Sequence, residues 1–261
     1  MQVHGNEVDR AGNGTRCALN LAGVERDDLA RGMVITERGL QPSSILDTRI
    51  RLLDQAPELR DGQRIRLLVG TSEVMATCTV ISTRSPGLPE VENDRVIGAQ
   101  EALVQLRTET PLVCLPRDRF VLRRESPVET LGGGVILDAW SKRIRNRNKA
   151  DQQVYLTSIE SGASGAYLER AGRNGIPFER ASIYGESEMG VRLGNRLFHP
   201  TIVADISADL EQWLAEWHHL NPLLPGCPRR EVHTGGLPHW DKRAFEDLIQ
   251  RAIDQERMIP E

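Results

Sequence analysis

Residues 118–138 constrain the fold more than any other part of the chain. Asp118-Arg119-Phe120-Val121-Leu122-Arg123-Arg124-Glu125-Ser126-Pro127 leads into Thr130-Leu131-Gly132-Gly133-Gly134-Val135-Ile136-Leu137-Asp138. The Ser-Pro step separates two runs of β-forming residues, which predicts strand, turn, strand. Alternation puts Arg119 and Arg123 on one face of the first strand and Arg124 on the other. No helix follows Gly132 to Gly134, so they read as a glycine-rich strand and not as a phosphate loop. Such a hairpin is marginal alone and needs further strands to bury its apolar side.

Those strands lie upstream. Residues 46–53, 63–69, 71–83, 99–107 and 118–124 are short β-forming runs, many with a period of two, as in Arg49-Ile50-Arg51-Leu52 and Arg64-Ile65-Arg66-Leu67. Asp61-Gly62 and Pro86-Gly87-Leu88-Pro89 supply turns. Residues 16–22 and 32–36 are expected to be short strands as well. With no amphipathic helix between them, these strands call for a β-barrel or sandwich, and closure removes the exposed edges.

The pattern changes after residue 138. Lys142 to Lys149 is basic with one apolar residue and reads as a linker. Val154, Leu156, Ile159, Ala166 and Leu168 then suggest helices, and 177–183 a short helix with Pro177 in its first turn. Residues 192–198 predict a hairpin turning at Gly194-Asn195. A helix opens near Ile206 with Ser207 as cap and Leu210, Trp213, Leu214 and Trp217 as its apolar stripe; Asn221-Pro222 stops it. Residues 238–253 hold another helix. Helix, helix, helix, hairpin is the order of a winged helix, and a second such unit starts near Ile206.

Composition excludes several classes. The chain has 261 residues and a formal charge of -4, so a nucleic-acid contact must be a local patch. Of its 33 basic residues only Lys142, Lys149 and Lys242 are lysine. Arginine suits phosphate, although a GC-rich genome also explains the bias. Cys17, Cys78, Cys114 and Cys227 show no CxxC pair and are expected to be reduced and mostly buried, in a cytoplasmic protein. No histidine spacing fits a metal site, no apolar run spans a membrane, and residues 1–20 lack a signal-peptide core. Trp213 and Trp217, one turn apart, are expected in a core.

The hairpin at 118–138 resembles the third domain of translational GTPases of the elongation factor Tu class. Its Ser-Pro…Thr-Leu-Gly-Gly-Gly-Val-Ile-Leu-Asp form resembles the selenocysteine-specific elongation factors. Gly14-Thr15-Arg16-Cys17-Ala18-Leu19-Asn20-Leu21-Ala22-Gly23 with Leu29-Ala30-Arg31-Gly32 looks like the end of that family's second domain, and 64–76 like its third. The basic linker and the His218…Asn221-Pro222…Pro225-Gly226 words look like the approach to its winged-helix arm. The resemblance implies the C-terminal strands of a domain II-like barrel at 1–42 and a complete domain III-like barrel at 43–140. A basic linker at 141–152, a winged helix at 153–204 and an incomplete second one at 205–261 follow.

The resemblance also implies function. The family's intact members bind GTP with Mg, carry selenocysteinyl-tRNA to the ribosome at UGA codons, and read a messenger RNA hairpin through their last winged helices. The GTPase domain and those last modules are not expected in this chain. It is therefore read as no enzyme by itself and as needing no cofactor, with a separate GTPase chain as a conceivable partner. Arg16 matches the family arginine in the pocket for the charged amino acid. A guanidinium there distinguishes a selenolate from a serine hydroxyl, although the other half of that pocket is not expected here. Arg16 also reads as a solvated strand residue.

Arg119, Arg123 and Arg124 are candidates for the tRNA backbone, and Lys142, Arg143, Arg145 and Arg147 for RNA generally. Plain surface charge is the competing reading for both groups. Asn148-Lys149-Ala150-Asp151 spells a guanine-recognition word but lacks the preceding apolar strand and any phosphate loop, so it reads as coincidence. Two alternatives stay open: a stand-alone RNA-binding or ribosome-associated adaptor, and a winged-helix DNA-binding regulator.

Overall fold

The structure, a computed structural model, describes residues 1–36 and 40–258. Parts of the segments expected at 1–42 and 205–261 therefore lie outside the described residues. The chain opens with β1 (Gln2–Val3) and β2 (Asn6–Glu7), which pair with each other, and a bridge joins Gln2 to Ala18. The strands expected over 16–22 and 32–36 do not form. None of residues 1–36 is buried, and Leu19, Leu29, Met33, Val34 and Ile35 are exposed. A β-forming run without a second sheet to cover its apolar face gains too little to become a strand.

The next eight strands are β3 (Ser43–Leu52), β4 (Leu59–Arg60), β5 (Arg64–Val69), β6 (Ser72–Arg84), β7 (Arg95–Val96), β8 (Glu101–Leu112), β9 (Arg119–Arg124) and β10 (Thr130–Asp138). Six of them close an antiparallel barrel in the order β10-β3-β8-β6-β5-β9; β4 and β7 pair beside it. The alternation read from the sequence is the inward series: Leu46, Ile50, Ile65, Leu67, Val104 and Leu122 have no solvent exposure. The triple glycine lies in β10, pressed between β3 and β9. A Cβ on Gly134 would stand 2.1 Å from the Arg49 carbonyl oxygen and 2.8 Å from the Phe120 ring. Glycine is needed there for the close approach of two backbones.

The first helical unit runs α1 (Lys149–Glu160), α2 (Ala166–Ala171), β11 (Ile176–Pro177), α3 (Phe178–Tyr184), β12 (Val191–Leu193) and β13 (Arg196–Phe198). This is the expected winged-helix order, with the hairpin turning at Gly194-Asn195 and a small sheet ordered β11-β13-β12. Pro177 ends β11 and precedes α3; it is not inside the helix. The remaining helices are α4 (Pro200–Leu220), α5 (Arg229–Glu231) and α6 (Lys242–Asp254). Phe198 of the wing shares an apolar core with Ile206, Leu210, Phe245 and Leu248, so the two units pack as neighbours.

Two local expectations are corrected. Helix α4 starts at Pro200, with the His199 ring accepting from the Thr201 N–H. Ser207 is mid-helix and buried; its hydroxyl donates to the Val203 carbonyl at 2.9 Å. A serine can close on the carbonyl four residues back instead of capping. The basic stretch after β10 is also no slack linker. The Gln105 side chain donates to the Lys142 carbonyl and accepts from the Ile144 N–H, both at 3.0 Å. Ile144 packs with Ile81, Leu103 and Leu156. Lys149 opens α1, buried, 3.9 Å from Asp61.

Candidate RNA interface

The outer face of β5, β6 and β9 carries a cluster of arginines. Alternation along β9 turns Phe120 and Leu122 inward and leaves Arg119, Val121 and Arg123 facing out. The register sets Arg66 of β5 opposite Arg123. Arg66 pairs with Glu73 of β6. The Nε atoms of both Arg66 and Arg123 are buried without a hydrogen-bond partner. Two like charges side by side are unfavourable unless something negative lies over them. Glu73 answers only part of that charge. The Arg66 hydrogen bond holds its carboxyl below the usual range, with Arg31 and Arg123 adding to the effect.

Arg31 is brought there by the N-terminal segment. Its Nε donates to the Thr71 carbonyl at 3.0 Å, the Gly32 N–H donates to the Thr71 hydroxyl at 3.2 Å, and the Ser72 hydroxyl donates back to the Gly32 carbonyl at 3.1 Å. Gly32 has φ +99°, and a Cβ would meet the Ser72 hydroxyl at 2.7 Å, so the clasp requires glycine. Arg119 lies exposed beside the clasp, lining a small cavity with Gly32 and Ser72. Arg64, lower on the same face, is answered by Glu109 at 2.7 Å and by Glu125. Arg124 falls on the inward series at the end of β9 and is half-buried.

The remaining expected residues are dispersed. Arg16 is exposed on the N-terminal loop. Arg143, Arg145 and Arg147 are exposed on the segment leading to α1. Lys142 stands apart from them, beside Trp140 at the seam between barrel and helices. Asn148 to Asp151 cross a 3-10 turn into the first turn of α1, with no strand before them. Cys17 is exposed, against expectation; Cys78 and Cys114 are buried, and burial pushes the Cys114 thiol up to about 12. Trp213 packs on the second unit's core, whereas Trp217 is half exposed and donates to Glu231 at 3.1 Å. Among the described residues no three His, Cys, Asp or Glu side chains are grouped to hold a metal, and no helix is long and apolar enough to cross a membrane.

The seam holds a polar network that the sequence did not announce. Asp138 accepts from the Tyr155 hydroxyl at 2.9 Å and the Tyr184 hydroxyl at 2.7 Å. Asp47, fully buried, accepts from Gln105 at 2.8 Å, from Gln152 at 2.6 Å and from Ser141. Burial raises its carboxyl to about 7 despite those donors, with Asp138 adding repulsion. Helix α3 thereby faces the barrel, with the Arg180 guanidinium 4.7 Å over the Trp140 ring. Arg31 and Arg66 were also missed as site residues. Period two shows that Arg66 points outward, but only the register shows which arginine it meets.

Comparison with known proteins agrees with this architecture. Residues 46–143 match the family model of the β-barrel domain of the selenocysteine-specific elongation factor. A selenocysteine-specific elongation factor from Desulfomicrobium baculatum is 23% identical, over 100% of this chain and 43% of its own length. The crystal structure of a bacterial selenocysteine-specific elongation factor, EF-Sec, has the same fold with a TM-score of 0.70 at 18% identity, over 100% of this chain and 40% of that one. Residues 46–143 thus match the β-barrel domain of the selenocysteine-specific elongation factors, and the chain as a whole is similar to such factors and spans about two-fifths of the length of the relatives it matches.

Proposed function

We propose that this chain is the RNA-holding part of a selenocysteine-specific elongation factor. Its barrel and winged-helix units grip selenocysteinyl-tRNA while the factor delivers it to the ribosome at UGA codons. In this reading the chain contributes binding and no catalysis; GTP and Mg act in a GTPase unit of the factor. The observation that carries the reading is the Arg66–Arg123 pair with Arg31 on the outer barrel face, a cluster whose buried Nε groups lack partners. Guanidinium forks in that setting suit phosphate oxygens, and phosphate contacts position an RNA without reading its sequence. Arg119 extends the strip, and Arg143, Arg145 and Arg147 offer a second, exposed one.

The DNA-regulator alternative has less support. In winged-helix regulators the third helix lies in the major groove. Here α3 is turned onto the barrel through Tyr184 and Arg180. Fluorescence anisotropy with tRNA over a salt series tests the proposal. Arg66→Glu and Arg123→Glu should each weaken binding and lower the slope of log K against log salt by about one. Unchanged affinity in both variants, or tighter binding to duplex DNA than to tRNA, overturns it.

A further inference from the structure

The seam between the barrel and the first winged-helix unit is hollow. A cavity of about 570 Å³ opens there, walled by Trp140, Lys142, Tyr155, Arg170, Arg180 and Tyr184. A second cavity of about 440 Å³ adjoins it; Asn174 and Arg196 line both, and Trp240 closes the far side. Both volumes are in the range of small-molecule sites.

The charge of this groove is one-sided. Lys142, Arg170, Arg180 and Arg196 form no ion pair among the described residues. Arg170 is held by the Gln152 side-chain carbonyl and lies 5.1 Å over the Tyr155 ring. Arg196 donates to the carbonyls of Asn174 and Gly175 at 2.5 and 3.0 Å. Arg180 rests on Trp140. Two acids stand in the walls: Asp138 is occupied by two tyrosine hydroxyls and the Trp140 backbone N–H, and Asp241, in the second cavity, by the backbone N–H groups of Arg243 and Ala244. Four cations without an ion pair thus line the groove beside aromatic side chains, and a concave surface of one charge sign draws in an anion.

The chemistry of the walls narrows the class of anion. Inorganic phosphate would use the cations and leave the aromatic surface idle. A duplex keeps its bases stacked inside and cannot enter a cavity. An unpaired nucleotide uses both features: guanidinium forks take its phosphate, and the flat Arg180–Trp140 stack offers a platform for its base. We propose that this seam binds an unpaired nucleotide of an RNA chain. The proposal rests on the RNA-binding reading above but on different residues, so the two can fail separately.

Anisotropy of the whole chain with a labelled eight-nucleotide unpaired RNA and a blunt RNA duplex tests it. Lys142→Glu and Arg180→Glu should weaken the unpaired oligomer about tenfold and leave the duplex within about twofold. Lys142 is exposed, so its variant carries the test even where Arg180→Glu disturbs docking. Arg123→Glu is measured alongside. Loss with Arg123→Glu but none with Lys142→Glu or Arg180→Glu overturns the seam proposal and leaves the barrel-face reading standing. Loss in none of the three overturns both. Free AMP displacing the oligomer as effectively as unlabelled RNA assigns the seam to free nucleotides and overturns its assignment to RNA.

Discussion

A single carbon decides two positions in this protein. Gly134 is fixed by what lies on either side of β10, the Arg49 carbonyl and the Phe120 ring, and not by an unusual φ. Gly134→Ala should cost about 1–3 kcal/mol through overpacking, read as a lower urea midpoint with an unchanged slope. A wild-type midpoint would show that β10 can move aside. Gly32 is constrained differently, since its positive φ and the Ser72 hydroxyl both disfavour a side chain. The triple glycine was legible in the sequence as a strand, because a phosphate loop needs a helix after it. That its neighbours are Arg49 and Phe120 was not legible, since pairing partners far apart in the chain leave no local trace.

At the scale of elements, Arg49 ties three segments together. Its guanidinium holds Glu90 bidentately at 2.7 and 3.1 Å and reaches Glu160 at the end of α1 at 2.7 Å. A carboxylate at a helix C-terminus is disfavoured by the helix dipole, so the arginine offsets a real cost there. Burial alone would raise the Glu90 carboxyl; the Arg49 and Ser82 hydrogen bonds outweigh it and hold the group below its usual value. Stability from this pair is therefore present above the normal carboxylate range and is lost as pH falls through the lowered value. Arg49→Ala leaves two carboxylates facing a poorly solvated site and should cost about 3–5 kcal/mol. A change under about 1 kcal/mol in urea unfolding would show that water already answers them. In the second helical unit, Asp241 accepts from the N–H groups of Arg243 and Ala244 at 3.0 and 3.2 Å. Asp241→Ala should cost about 1 kcal/mol at α6, detectable as faster amide exchange in 242–254; unaltered exchange there would make the cap irrelevant.

At the scale of the whole molecule, the barrel and the helices meet over buried acids. Asp47 has its folded pKa raised from 3.8 to about 7 by burial first and by Asp138 in addition. The folded state therefore holds a proton that the unfolded chain releases. The stability linked to this proton is complete below about pH 4 and is lost as pH rises toward 7. Asp47→Asn removes that dependence. Its stability relative to wild type should improve as pH is raised from about 4 to about 7, and a pH-independent difference in chemical denaturation would contradict the assignment. The N-terminal segment behaves oppositely, since none of residues 1–36 is buried. Its amides should exchange far faster than those of 101–112, and equal protection would mean that it packs on a further surface in solution.

Sequence alone determined the six barrel strands, the Gly-Asn turn of the wing, the outward arginines of β9 and the resemblance of the barrel to that of the selenocysteine factors. Each of these rests on local alternation, turn chemistry or words of neighbouring residues. Tertiary structure decided the rest. It set Arg66 against Arg123, drew Arg31 to their side, turned α3 onto the barrel and moved the start of α4 to Pro200. It also left 16–22 and 32–36 without strands for want of a covering sheet. These outcomes depend on which distant surfaces meet, and the free energy of such meetings is not written in any short stretch of chain.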